Sequence, residues 1–144
     1  EINDNQAARQ LDRVAAAWGK SLDKKRVHIM GLAFRPGVKV DTLSTAYALR
    51  EHLNQRGASI TLEDPCYTDD EISSAGFTPG SATAAELIVL NTAHVQFADP
   101  DFGAWKKAGV EAVLDGRNFW DRYNAEAAGL IYCGIGRSSL RELK

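Results

Sequence analysis

Leu11, Val14, Ala15 and Trp18 stand at the i, i+3, i+4 and i+7 positions of one helical face. The pattern predicts an amphipathic helix over 2–18 that packs on a neighbour and is ended by Gly19. After the charged turn Asp23-Lys24-Lys25-Arg26, the chain runs nearly without polar residues from Val27 to Phe34. Such a run suits a strand covered on both faces, as in a parallel sheet. Arg35-Pro36-Gly37 ends it. Helical spacing returns with Ala46, Ala48, Leu49 and Leu53 and closes at Gly57, with the hydroxyl of Ser44 placed to cap the helix.

The unit then repeats. Ser59–Glu63 predicts a second strand, stopped by Asp64-Pro65. Thr68-Asp69-Asp70-Glu71 opens a short helix with its acids where the helix dipole favours them. The rest of 64–85 is rich in Gly, Ser, Thr, Pro and Ala and reads as loop. Leu87–Leu90, Ala112–Leu114 and Leu130–Cys133 are further strands, and Pro100–Lys107 is a short helix. Strands alternating with helices predict βαβ units. The fold class is therefore α/β: a Rossmann-like, doubly wound, three-layer domain. Its five mainly parallel strands take the order 2-1-3-4-5 behind an N-terminal helix.

Composition narrows the function. The chain has 144 residues and a net charge of −2 with mixed signs, so no basic field marks a nucleic-acid partner. Apolar runs fall far short of the roughly 20 residues a membrane span needs. Cys66 and Cys133 lie apart in no metal-ligand spacing. They read as two reduced thiols of a cytoplasmic protein, with one disulfide left open. The opening Glu1-Ile2-Asn3-Asp4, with no initiator Met, is expected to be the middle of a longer sequence.

In an open parallel sheet the ligand crevice lies beyond the carboxyl ends of the strands, where the strand order reverses. That places Phe34-Arg35-Pro36-Gly37, Asn91-Thr92-Ala93-His94 and Asp115-Gly116-Arg117-Asn118 around one site. Two guanidinium forks beside amides, hydroxyls and an imidazole suit a phosphate. Phe34 offers a stacking face. The competing readings are structural: Arg35 as a solvated loop residue, Arg117 paired with Asp115, His94 as a cap, Phe34 as core. A Cys66–His94 nucleophile and base has no spacing to support it. Gly134-Ile135-Gly136-Arg137 lacks the remaining glycine of a dinucleotide fingerprint, and too few residues follow for its helix.

These landmarks carry a resemblance. Val27 to Arg137 is similar to the C-terminal UDP-binding domain of the UDP-glucose/GDP-mannose dehydrogenase family. Gly31-Leu32-Ala33-Phe34-Arg35-Pro36-Gly37 resembles its glycine-alanine-phenylalanine-lysine-proline turn, and Glu63-Asp64-Pro65 its strand-end acid and proline. Asn91-Thr92-Ala93-His94 matches its threonine-x-histidine turn. Asp115-Gly116-Arg117 and Tyr132-Cys133-Gly134-Ile135-Gly136 match its closing segments. The resemblance implies a part of a nucleotide-sugar 6-dehydrogenase, which oxidises a sugar C6 alcohol to a carboxylate in two NAD-dependent steps for polysaccharide biosynthesis. NAD and the catalytic cysteine would lie on an absent N-terminal domain, so no catalytic residue is expected here. Residues 1–24 would end an inter-domain, dimerising helix, and 25–144 would form the UDP-binding domain of a homodimer. Phe34, Arg35 and Arg117 would contact UDP or the UDP-sugar, with Gly37, Asn91, Thr92, His94 and Asn118 lining the crevice.

Two positions depart from the family pattern. Where the family has an aspartate and an NAD-directed arginine, this chain has Val40 and Thr42, with Asp41 between them. They keep a second reading in view, a non-catalytic Rossmann-like binding or assembly module whose helix 2–18 docks a partner.

Overall fold

The computed structural model describes residues 2–41 and 44–134. Five parallel strands, β1 (Arg26–Met30), β2 (Ser59–Glu63), β3 (Leu87–Leu90), β4 (Ala112–Asp115) and β5 (Ile131–Cys133), form one sheet in the order 2-1-3-4-5. The register runs Val27 to Ile60 on one side and Val27 to Leu87 to Ala112 to Ile131 on the other. The order reverses between β1 and β3, as the sequence predicts.

The strands alternate between two cores because successive side chains point to opposite faces. Val27, Ile29, Leu87, Val89, Ala112 and Leu114 join the core under α1 (Ile2–Trp18) and α2 (Thr45–Gln55). Met30, Ile88, Leu90 and Val113 join the core under α4 (Phe102–Ala108) and α5 (Arg122–Ala127). The first core takes Ala7, Leu11, Val14 and Trp18 from α1, which packs on α2, β4 and β5. The second holds Phe102, Trp105 and Trp120 edge-to-face, with centroids 5.5–5.9 Å apart.

Local chemistry sets the helix starts. Ser44 Oγ accepts from Ala46 N at 3.1 Å, capping α2. Thr68 and Glu71 exchange both capping-box bonds at the start of α3 (Asp69–Ser74). Asp121 caps α5, a helix that hydrophobic periodicity passes over because Ala125 is its one buried residue. The second departure from expectation is β1, which ends at Met30 rather than Phe34. Gly31, at φ +111°, takes the chain out of extended geometry. Leu32 and Ala33 stay buried in the loop beyond, while Phe34 emerges with 39% of its surface exposed, so it is not core.

Candidate functional site

Three loops leave the carboxyl ends of β1, β3 and β4, and buried polar atoms join them. Gly31 lies against the first turn after β3, where a β-carbon would fall 2.3 Å from Thr92 Cβ. Thr92 Oγ1 donates to Ala33 O at 2.7 Å, and Asn91 Nδ2 to Gly31 O at 3.0 Å. The amides of Leu32 and Ala33 both donate to Asp64 Oδ2, at 2.7 and 2.9 Å. Asp64 Oδ1 accepts from Cys66 N at 2.8 Å. A buried carboxylate thus satisfies the amides that the end of β1 leaves without ladder partners.

The next residues form a tight turn. Phe34 N donates to Val40 O at 2.6 Å, and Arg35 pairs with Val38 in an antiparallel bridge. Gly37 turns the chain at φ +72°, and its amide donates to His94 Nδ1 at 2.9 Å. Arg35 and Phe34 point outward together, the guanidinium carbon 5.8 Å from the ring centroid. No other described residue bonds the Arg35 guanidinium.

The third loop presents Arg117. Asp115, fully buried at the end of β4, accepts from Arg117 N at 3.1 Å, Trp120 N at 2.7 Å and Tyr132 Oη at 2.7 Å. Asn118 completes the turn in the left-handed region at φ +52°, a conformation Asn tolerates. The exposed Arg117 side chain donates through Nε to Asn91 O at 2.8 Å, which turns the guanidinium back toward the end of β3.

The predicted residues therefore divide. Phe34, Arg35, Arg117 and Asn118 are exposed on the loops. Asn91, Thr92 and His94 are buried at 4%, 1% and 0% exposure and use their polar atoms inside the scaffold. Gly37 contributes its backbone. Val40 is exposed, whereas Asp41 turns inward and accepts from Tyr47 Oη. Burial, and then Asp41, push the Tyr47 hydroxyl up to about 12. Thr42, Ile135, Gly136 and Arg137 lie outside the described residues. The sequence alone marks Asp64 as a strand terminator and part of the strand-end acid–proline landmark, not as a buried acceptor. Its position immediately after β2 and before Pro65 was the available signal, but the amides it serves belong to residues 31 and 32 positions earlier.

A nucleophile–base pair does not assemble from Cys66 and His94. Burial, followed by the charge of Asp64, pushes the Cys66 thiol up and keeps it protonated. Both imidazole nitrogens are engaged, Nδ1 by Gly37 and Nε2 by Asp64 Oδ2 at 2.9 Å. The ligand atoms of Asp64, Cys66 and His94 cluster within 4.8 Å, but as hydrogen-bonded here the imidazole has no lone pair to offer a metal. Asp64 also lines a cavity of about 520 Å³ together with Met30, Glu63, Tyr67, Phe97 and Trp105.

Residues 28–122 match the UDP binding domain of the UDP-glucose/GDP-mannose dehydrogenase family. The chain belongs to this family. The UDP-glucose 6-dehydrogenase AglM of Haloferax volcanii is 31% identical over 130 residues, 85% of this chain and 29% of the relative. The UDP-glucose 6-dehydrogenase of Rhizobium meliloti is 27% identical over 143 residues, 94% of this chain and 33% of the relative. The chain thus spans about a third of the length of these curated relatives. The solved UDP-D-ManNAc dehydrogenase of Pyrococcus horikoshii shares the fold, with a TM-score of 0.75 at 22% identity over 93% of this chain and 31% of that one. The stretch matched to the family holds the turn after β1, Asp64, His94 and Arg117. No helix among the described residues is long and apolar enough to cross a membrane.

Proposed function

We propose that this chain is the nucleotide-sugar-binding C-terminal domain of an NAD-dependent UDP-sugar 6-dehydrogenase and catalyses nothing alone. The observation that carries the reading is the pair of outward-facing guanidiniums, Arg35 and Arg117, on loops tied to the same end of β3. Planar guanidinium donors match phosphate oxygens two at a time, and the exposed Phe34 ring offers a face to a base or sugar. The scaffold residues Asn91, Thr92 and His94 hold the loops, and Asn118 gives the Arg117 turn its shape. NAD, which accepts hydride in the parent reaction, belongs with a separate N-terminal domain. The full protein is a cytoplasmic homodimer joined through the helix that α1 ends.

Calorimetric titration of this chain with UDP tests the reading. Saturable binding that uridine, lacking the phosphates, fails to reproduce supports it. No heat at millimolar UDP would overturn it and favour an assembly module without a nucleotide role.

A further inference from the structure

We infer that His94 is the positioning residue for the Arg35 turn, and that Asp64 holds its imidazole in the one tautomer able to do so. The inference builds on the reading of Arg35 as a nucleotide contact. An amide N–H can only donate, so His94 Nδ1, 2.9 Å from Gly37 N, is an acceptor and carries no proton. The ring proton is therefore on Nε2, donated to Asp64 Oδ2 at 2.9 Å, and both side chains are closed to water. Asp64 is itself pinned by the amides of Leu32, Ala33 and Cys66. A line of hydrogen bonds thus runs from the end of β2, through the buried His94 in the loop after β3, to a surface point two residues beyond Arg35.

The remaining bonds of the turn explain why this line matters. Phe34 N to Val40 O and the Arg35–Val38 bridge lie within the loop and fix its shape, not its place on the body. The Lys39–Glu71 pair reaches the body but is about half exposed, where ion pairs hold weakly. His94 to Gly37 is the anchor whose acceptor end is fully buried, while Gly37 lies at the surface. A rigid ring with an acceptor on one side and a donor on the other spans the gap. An Asn at this position keeps only the δ-position acceptor for Gly37, and a Gln keeps only the ε-position donor for Asp64.

Two readouts test this on the same variants. Exchange of the Gly37 amide, followed by NMR, should accelerate at least about tenfold in His94→Ala and His94→Gln but much less in His94→Asn. UDP affinity should fall about tenfold in His94→Ala, and adding His94→Ala to Arg35→Ala should cost little more, because one acts through the other. Unchanged Gly37 exchange in His94→Ala, or losses that add in the double variant, would overturn the inference. If His94→Ala does not fold, the Asn and Gln variants decide, and equal Gly37 exchange in both overturns it. A wild-type chain that binds no UDP defeats the functional proposal alone, since the exchange readout still judges the anchor.

Discussion

Gly31 and Thr92 approach so closely that any side chain at position 31 collides with the turn after β3. A β-carbon there would lie 2.3 Å from Thr92 Cβ and 2.6 Å from Thr92 N, on a backbone at φ +111°. The contact lets the end of β1 fold across the end of β3. Gly31→Ala meets both a clash and a strained backbone, so it should destabilise the domain by roughly 2–4 kcal/mol. Urea unfolding checks this, and a loss below about 1 kcal/mol would show that the two loops do not meet as described.

Arg117 is aimed by its Nε bond to Asn91 O, leaving the outer guanidinium nitrogens for a ligand. Arg117→Ala should weaken UDP binding by about 1.5–3 kcal/mol, the worth of a charge-assisted hydrogen bond. Arg117→Lys keeps the charge but not the aiming bond and should recover only part of the loss. Calorimetry of the two variants separates charge from geometry, and equal affinities of the Lys variant and the wild type would remove the role assigned to the Asn91 bond.

Asp115 supports the same loop from beneath. Truncating it removes the acceptor of the buried Trp120 amide and of the part-buried Arg117 amide and Tyr132 hydroxyl. Asp115→Ala should cost about 3–5 kcal/mol in thermal or urea unfolding, against about 1 kcal/mol for Tyr132→Phe, which removes one donor.

Glu111 ties the end of α1 to the start of β4. Its Oε1 accepts from Lys20 Nζ at 2.6 Å and Trp18 Nε1 at 2.9 Å. These bonds, Lys20 first, hold the carboxyl below its ordinary range. A depressed folded-state value means that the stabilisation is present above the unfolded value of about 4.3 and is lost as pH falls through the folded one. The stability gap between wild type and Glu111→Gln should therefore be constant at neutral pH and shrink below about pH 4. Urea midpoints across that range would reveal it, and a gap that persists into acid would refute the linkage.

Cys66 should behave as an unreactive thiol. Burial and the neighbouring Asp64 raise it above the ordinary thiol range, and the thiolate is the form that reacts. At pH 8 its reaction with a disulfide reagent should be several-fold slower than that of free cysteine. A rate equal to or above that of free cysteine would contradict the environment described for it.

The sheet was legible because its central strands are largely apolar on both faces, Leu87–Leu90 throughout and Val27–Met30 but for His28, and because capping signals such as Thr68 with Glu71 act over three residues. The end of β1 was not legible. Leu32 and Ala33 continue the apolar pattern of the strand, yet their amides turn to Asp64, a residue more than 30 positions away. Helix α5 escaped for the opposite reason, since a single buried Ala125 makes no stripe.

The alternation of strands and helices, the loops at the strand ends and the arginines they carry could be read from the chain, because periodicity and turn chemistry are local, and the topology rules of βαβ units then supplied the strand order. Which residues of those loops face outward depends on how the segments pack in three dimensions. Asn91, Thr92 and His94 have the same polar character as Asn118, but burial obliges them to satisfy one another and the backbone. Arg35 and Arg117 remain outside because no buried partner meets their outer guanidinium nitrogens among the described residues. Hydrogen-bond satisfaction across distant segments drew that line, and no one-dimensional pattern contains it.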